Sequence, residues 1–111
     1  MAISINHRII GGVVETILAS GNEPLPWMMF TLVSIGATWD RHGKRAQVKV
    51  KERVVVQGRG NLDALDWLRP GAEVLVTGVG LPVQTVAAQD DAKGMVTLAQ
   101  TIQRPGGQED Y

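Results

Sequence analysis

The chain has 111 residues and no cysteine, which excludes disulfide bonds and thiolate metal sites. Its two histidines, His7 and His42, are far apart in sequence, and neither has a companion at metal-ligand spacing. No apolar run approaches the roughly 20 residues of a membrane span, and the first residues lack the features of a signal peptide. No side chain is placed as an activated nucleophile. The composition therefore predicts a soluble cytoplasmic protein that is not an enzyme and needs no metal or cofactor.

The formal net charge is zero, because eleven acidic residues balance eleven basic ones. This balance argues against a protein that coats nucleic acid by bulk charge alone. The basic residues are nevertheless concentrated in one stretch, which contains a single acid, Glu52, and the cations Arg41, Lys44, Arg45, Lys49, Lys51, Arg53 and Arg59. A local positive field in a neutral chain predicts one binding face for a negatively charged partner.

The stretch from Arg45 to Gln57 alternates with a period of two, as a β-strand does. Its even positions are mostly apolar and are expected to face a core: Ala46, Val48, Val50, Glu52, Val54 and Val56. Its odd positions include four cations, called here the basic face: Arg45, Lys49, Lys51 and Arg53. At about 3.3 Å per residue the strand is roughly 40 Å long, so we expect it to bend or to serve two sheets.

Two interpretations of the basic face are open. The simpler one is a strand face that is charged for solubility, or to guard a sheet edge against aggregation. We favour a phosphate-binding face, because lysines and arginines without interleaved acids repel one another. Arg41, His42 and Lys44 extend the same patch into the preceding loop, where solvated loop charge is the alternative.

Turn residues divide the chain into five strands and one short helix. The helix is expected to follow Asn61, a candidate N-cap, and to end at Pro70-Gly71. The strands are expected at residues 8–18, 27–35, 45–57, 72–81 and 95–102. A helix between the third and fourth of five strands predicts an all-β, five-stranded OB-fold barrel. We expect one domain over residues 1–104 and a short flexible acidic tail over residues 105–111.

Three segments resemble a known family: Arg53-Val-Val-Val-Gln-Gly, Leu65-Asp-Trp-Leu-Arg-Pro-Gly and Val74-Leu-Val-Thr-Gly-Val-Gly-Leu. Their order and spacing are similar to the central block of bacterial-type single-stranded DNA-binding proteins, and the likeness runs from Asn6 to Ile102. Primosomal replication protein N, a dimeric relative with the same fold, is similar too. The resemblance implies an OB-fold protein that binds single-stranded DNA without sequence specificity in replication, recombination or repair, in the cytoplasm (nucleoid).

The chain departs from this family at the aromatic residues on which bases stack. Lys51 and Gln57 stand where the family has a tryptophan and a phenylalanine, and Val86 approximately replaces a tryptophan of the loop after the fourth strand. Of the usual stacking set only Trp39 is present. Because stacking contributes about 1–3 kcal/mol per base, the resemblance implies weaker binding that depends more on cations than on aromatics.

The residues expected to bind DNA are the seven cations of the basic stretch and two tryptophans: Trp27, Trp39, Arg41, Lys44, Arg45, Lys49, Lys51, Arg53 and Arg59. Trp39 has polar neighbours in sequence, Thr38 and Asp40, and is expected to be a stacking platform. For Trp27, base contact, an interface and ordinary packing are equally open, whereas Trp67 is expected to cover one end of the barrel. Backbone and stacking contacts scarcely distinguish the two sugars, so RNA remains an alternative ligand.

Two other functions stay open at this point. One is a protein-interaction module of a replication complex, similar to primosomal replication protein N, with replication or recombination proteins as its partners. The other is a structural OB-fold subunit whose basic face meets an acidic protein. Salt-dependent binding of oligo-dT separates both from a DNA-binding protein.

The first strand is apolar on both parities, which is more than one barrel wall requires: Ile9, Ile10, Val13, Val14, Ile17 and Leu18. We expect part of this surface to face a second copy, and members of the family that the chain resembles pair through their first strands. A homo-oligomer, either a dimer or a tetramer, is therefore predicted. Ile10→Glu or Val14→Glu should then separate the subunits and leave the barrel folded. The alternative is that Gly11-Gly12 bends the strand so that both parities serve one core.

Overall fold

A computed structural model describes residues 7–19, 25–82 and 94–104. They form five strands and one single-turn helix: β1 His7–Ala19, β2 Trp27–Trp39, β3 Arg45–Gln57, α1 Arg59–Asp63, β4 Glu73–Pro82 and β5 Met95–Gln103. No helix in these ranges has the length and apolar character needed to cross a membrane. Val86 and the expected tail at residues 105–111 lie outside the described residues.

The strands form a closed barrel in the order β1-β2-β3-β5-β4. β1 has two neighbours, because residues 7–13 pair with β4 and residues 13–19 pair with β2. The barrel closes through a short parallel contact between β3 and β5, at Val54 and Val55. A five-stranded barrel with its helix between β3 and β4 is the OB-fold, so the predicted fold class is confirmed.

β1 is irregular after its glycine pair rather than at it. A Cβ at Gly12 would collide with the carbonyl of Val33 on β2, so the two strands approach closely there. The register with β2 shifts farther on, since Val14 pairs with Leu32 and Thr16 pairs with Thr31. Glu15 is the extra residue of this β-bulge.

The barrel interior is filled by the inward-facing residues of the strands and by two leucines that follow α1. The buried members of this main core are Val14, Phe30, Leu32, Val54, Val56, Leu65, Leu68, Val74, Val76, Ala99 and Ile102. A second cluster, on the other parity of β2 and β3, consists of Trp27, Met29, Val55 and Val96. Burial of each large aliphatic side chain contributes about 1.5–3 kcal/mol, so both clusters stabilise the barrel.

The first half of β3 departs from the predicted alternation. Val54 and Val56 are fully buried, as expected of even positions, but Val48 and Val50 are exposed. Val55, at an odd position, is fully buried because it belongs to the second cluster. The exposure of the first half follows from the sheet: β1 does not extend alongside this part of the β2–β3 pair, so its apolar side chains have no core to face.

The helix is shorter and begins earlier than predicted. α1 starts at Arg59, directly after Gly58, whose φ of 98° suits glycine. Asn61 lies inside the helix and is not its N-cap. Its side-chain amide donates a hydrogen bond of 2.9 Å to the carbonyl of Gln57, which ties the helix to the end of β3.

Candidate nucleic-acid interface

β2 and β3 continue beyond the barrel as a two-stranded ribbon, defined here as residues 34–39 of β2 and 45–50 of β3. The two strands stay in register from Trp27 paired with Gln57 to Trp39 paired with Arg45. The pairing of β1 with β2 stops at Val33. Both faces of the ribbon therefore lie in solvent, and its residues are exposed except for Ser34 and Ala46, which are half-buried.

A tight turn joins the two strands of the ribbon. The backbone N–H groups of His42 and Lys44 both donate to Oδ1 of Asp40, at 2.8 and 2.9 Å. Gly43 supplies a φ of 77°, a conformation that a side chain would disfavour. The side chains of Arg41 and Lys44 are exposed here, so the turn presents two of the predicted cations to solvent.

The strand register gathers the basic face and a tryptophan on one side of the sheet, because directly paired residues of an antiparallel ladder point to the same face. The pairs are Trp39 with Arg45, Ile35 with Lys49, Val33 with Lys51, and Thr31 with Arg53. β2 runs further than predicted and ends at Trp39, so this ring belongs to the sheet itself. The four cations and Trp39 thus form one continuous surface.

Trp39 is 70% exposed, so its ring is available to a planar partner. A shallow concavity of about 250 Å³ lies beside it, lined by Ala37, Thr38, Trp39 and Arg45. A larger one of about 570 Å³ is lined by Ile35, Gly36, Ala37, Arg45, Ala46 and Gln47. Ile35 is exposed on the same side and was not among the predicted contacts. Ile35 and Trp39 are four residues apart on β2 and therefore point to the same face, which is the signal in the sequence that indicates this contact.

Two cations of the basic face have partners within the chain. Nζ of Lys51 lies 3.1 Å from Oε1 of Glu15 on β1. Arg53 is half-buried, and its Nη2 donates to the carbonyl of Met95 at 3.4 Å. The partners are 36 and 42 residues apart in sequence, so no local pattern could indicate either contact.

The remaining predicted residues lie at the barrel end of the hairpin. Trp27 is 6% exposed within the second cluster, where no base could stack on it. Of the three roles left open for Trp27, the structure supports ordinary packing. The prediction that Trp27 contacts bases is therefore wrong. Arg59 opens α1, beyond the end of β3 that is opposite to the ribbon. Trp67 packs against the main core, with the guanidinium of Arg104 4.7 Å from its ring centroid.

β1 has an inner and an outer side, and the residues on each side change parity at the bulge. The residues in or against the main core are Ile10, Val14 and Ile17. Those on the exposed side are Ile9, Val13 and Leu18. The two test positions chosen from the sequence are therefore wrong, because Val14 is 1% exposed and Ile10 packs against the same core. A glutamate at either position would destabilise the barrel itself.

The chemistry of this surface is that of binding. Cations attract phosphate groups, and an exposed aromatic ring stacks on a base of any sequence. Residues 7–19, 25–82 and 94–104 contain no group of three histidine, cysteine, aspartate or glutamate side chains that could hold a metal ion.

No protein-family model and no curated protein matches this chain, but solved structures do. The protein PriB from Ralstonia solanacearum has a TM-score of 0.68 at 14% identity, over 92% of this chain and 99% of its own. A small single-stranded DNA-binding protein from Streptomyces coelicolor has a TM-score of 0.68 at 18% identity, over 93% and 95%. The Plasmodium falciparum SSB in complex with ssDNA has a TM-score of 0.65 at 19% identity, over 88% and 89%. The chain therefore has the fold of PriB and of single-stranded DNA-binding proteins, as its resemblance to them predicts.

Proposed function

We propose that the protein binds single-stranded DNA through the basic face and Trp39. The main support is the register of β2 with β3, which sets an exposed Trp39 directly opposite Arg45 and on the same side as Lys49. A single strand needs both elements, since cations neutralise its backbone and a ring stacks on its bases. The structural neighbours from Streptomyces coelicolor and Plasmodium falciparum are single-stranded DNA-binding proteins, which supports the same ligand here.

The binding is expected to be independent of sequence, weak and sensitive to salt. Phosphate contacts and stacking contain little sequence information. Among the described residues of this face Trp39 is the exposed aromatic, and Lys51 and Arg53 already have internal contacts. The affinity should therefore be lower than that of a relative with several stacking residues. RNA offers the same phosphates and bases, so it remains an alternative ligand.

This ligand fits a role in DNA replication, recombination or repair, as a cytoplasmic (nucleoid) binding protein without catalytic activity. An alternative function is a protein-interaction module with weak nucleic-acid binding, and replication or recombination proteins as partners. One observation favours this alternative. Ile9 and Val13 of β1 and Leu75 of β4 are exposed on the outer side of the barrel, where an apolar surface suits a protein partner.

Fluorescence anisotropy with labelled oligo-dT across a salt series tests the proposal. For single strands, log K should fall by about 0.7 per neutralised phosphate for each unit of log salt. Lys49→Gln should reduce this slope by about 0.7. Arg69→Gln is the matched control, because it removes an exposed cation from the turn before β4 and should leave the slope unchanged. An absence of binding at low salt would contradict the proposal and leave the interaction module ahead.

We also propose that the exposed side of β1 and β4 joins two copies, so that the active form is a dimer or a tetramer. Ile9 is 66% exposed, and Leu75, which is 43% exposed, pairs with Gly11 on the neighbouring strand. A two-fold arrangement places two basic faces on one assembly and lengthens the site.

Light scattering coupled to size exclusion measures this directly. We expect a mass of two or four chains of 12.0 kDa for the wild type, and the mass of one chain for Ile9→Glu. Val48→Glu is the control, since Val48 is exposed on the ribbon and not on β1. A wild-type mass of one chain at micromolar concentration contradicts the proposed oligomer.

A further inference from the structure

An acidic side chain reaches the basic face from another strand. Oε1 of Glu15 on β1 lies 3.1 Å from Nζ of Lys51, which is in the middle of the basic face. The side chain of Glu15 is 38% exposed and that of Lys51 is 55% exposed. The pair is therefore at the surface, where a nucleic-acid backbone would approach.

Glu15 lies on the outer side of β1, at its β-bulge. Val14, before it, is buried in the main core. Thr16, after it, faces outward and places its hydroxyl 3.3 Å from that of Thr31 on β2. Because the extra residue lies between them, two successive residues of β1 are exposed instead of alternating. Glu15 itself keeps the alternation of the strand, because Val13 is exposed and Val14 is buried, and the bulge adds Thr16 to the exposed side.

Glu52 behaves differently, although it is adjacent to Lys51 in sequence. It lies on the other parity of β3, and its Oε2 pairs with Nη1 of Arg8 at 3.5 Å. The acid within the basic stretch is thus directed away from the basic face. The acid that contacts this face comes from β1.

We propose that Glu15 competes with the phosphate backbone for Lys51 and thereby lowers the affinity of the basic face for single-stranded DNA. This inference rests on the proposed function. A phosphate that binds Lys51 has to displace the carboxylate of Glu15, which costs the free energy of an exposed ion pair. Glu15 therefore limits how tightly the surface holds a strand.

Oligo-dT anisotropy with Glu15→Gln tests the competition. The variant should bind about two- to fivefold more tightly than the wild type at low salt, which is the range expected for release of an exposed ion pair. The gain should shrink as salt rises, because salt screens the pair that the variant lacks. Glu52→Gln is the matched control: it removes one negative charge from the same sheet, but from the side opposite to the basic face, and should show no such gain.

A double-mutant cycle shows whether Glu15 acts through Lys51. In a Lys51→Gln background the Glu15→Gln substitution should produce no gain in affinity. A gain that persists there would mean that Glu15 repels DNA directly, and an equal gain in Glu52→Gln would mean a general charge effect. Either result overturns the inference. Thermal unfolding of each variant, with Glu15→Thr as a second substitution, verifies that the barrel is intact.

The two proposals fail in different ways. A wild type that binds oligo-dT while Glu15→Gln binds equally tightly overturns the role of Glu15 alone. A wild type that does not bind at low salt overturns the proposed function, and the role of Glu15 with it.

Discussion

The two ends of the β2–β3 hairpin are built from similar residues but lie in opposite environments. β2 begins with Trp27, which is 6% exposed, and ends with Trp39, which is 70% exposed. At the barrel end, β1 pairs with β2 and β5 pairs with β3, and the hairpin has the main core on one face and the second cluster on the other. In the ribbon, β2 and β3 pair only with each other among the described strands. The neighbouring strands, and not the residue type, decide whether a side chain is core or surface.

This difference explains why the ribbon is available for binding. A two-stranded hairpin is at best marginally stable alone in water, and here it is continuous with strands that the barrel holds in place. Its side chains are therefore positioned without having to fill a core. Arg45 and Lys49 can contact a ligand from a fixed geometry, whereas Val54 and Val55 stabilise the fold.

The largest expected effect comes from placing a charge at matched positions of β3. Val54→Asp buries an unpaired carboxylate in the main core, and we expect it to cost several kcal/mol of a total stability of about 5–15 kcal/mol. Val48→Asp lies on the same strand and the same parity but in the ribbon, and should cost less than about 1 kcal/mol. Urea unfolding followed by circular dichroism measures both. Similar losses would show that the ribbon is as tightly packed as the barrel.

The two tryptophans of β2 sharpen the same comparison. Trp27→Ala leaves a cavity in the second cluster and should lower the free energy of unfolding by about 3–5 kcal/mol. Trp39→Ala removes an exposed ring and should change it by no more than about 0.5 kcal/mol. The unfolding midpoints of the two variants decide the matter. A large loss of stability in Trp39→Ala would argue that its ring is structural.

A smaller effect is expected on DNA binding. Trp39→Ala should weaken oligo-dT binding by about 1–3 kcal/mol, or roughly 5- to 150-fold, because one stacked base is lost. Val48→Ala is the control, since Val48 is exposed on the opposite face of the ribbon and lines neither concavity. If anisotropy shows equal losses for both variants, the ligand does not select the face that contains the cations.

The sequence was sufficient for the order of the elements and for the fold. Alternation, turn residues and the Pro70-Gly71 stop are local signals, and they placed five strands and the helix in the right sequence. The start of the helix was missed because Gly58, with its positive φ, begins the turn ahead of Asn61.

The environment of each strand residue was harder to predict. Val48 and Val54 have the same parity on β3, yet Val48 is exposed and Val54 is buried. Only Val54 has the remaining barrel strands to face. The same limit left the role of Trp27 open. The contact of Glu15 with Lys51 joins two strands that are distant in sequence. Such tertiary features have no signature in a local pattern.

Intrinsic fluorescence during titration with oligo-dT tests most directly the claim that the ribbon contacts bases. The chain has three tryptophans, so single substitutions by phenylalanine locate the signal. We expect the quenching seen in the wild type to disappear in Trp39→Phe and to persist in Trp67→Phe, because the ring of Trp67 packs against the main core. Quenching that remains intact without Trp39, and disappears without Trp67, would contradict this account of the interface.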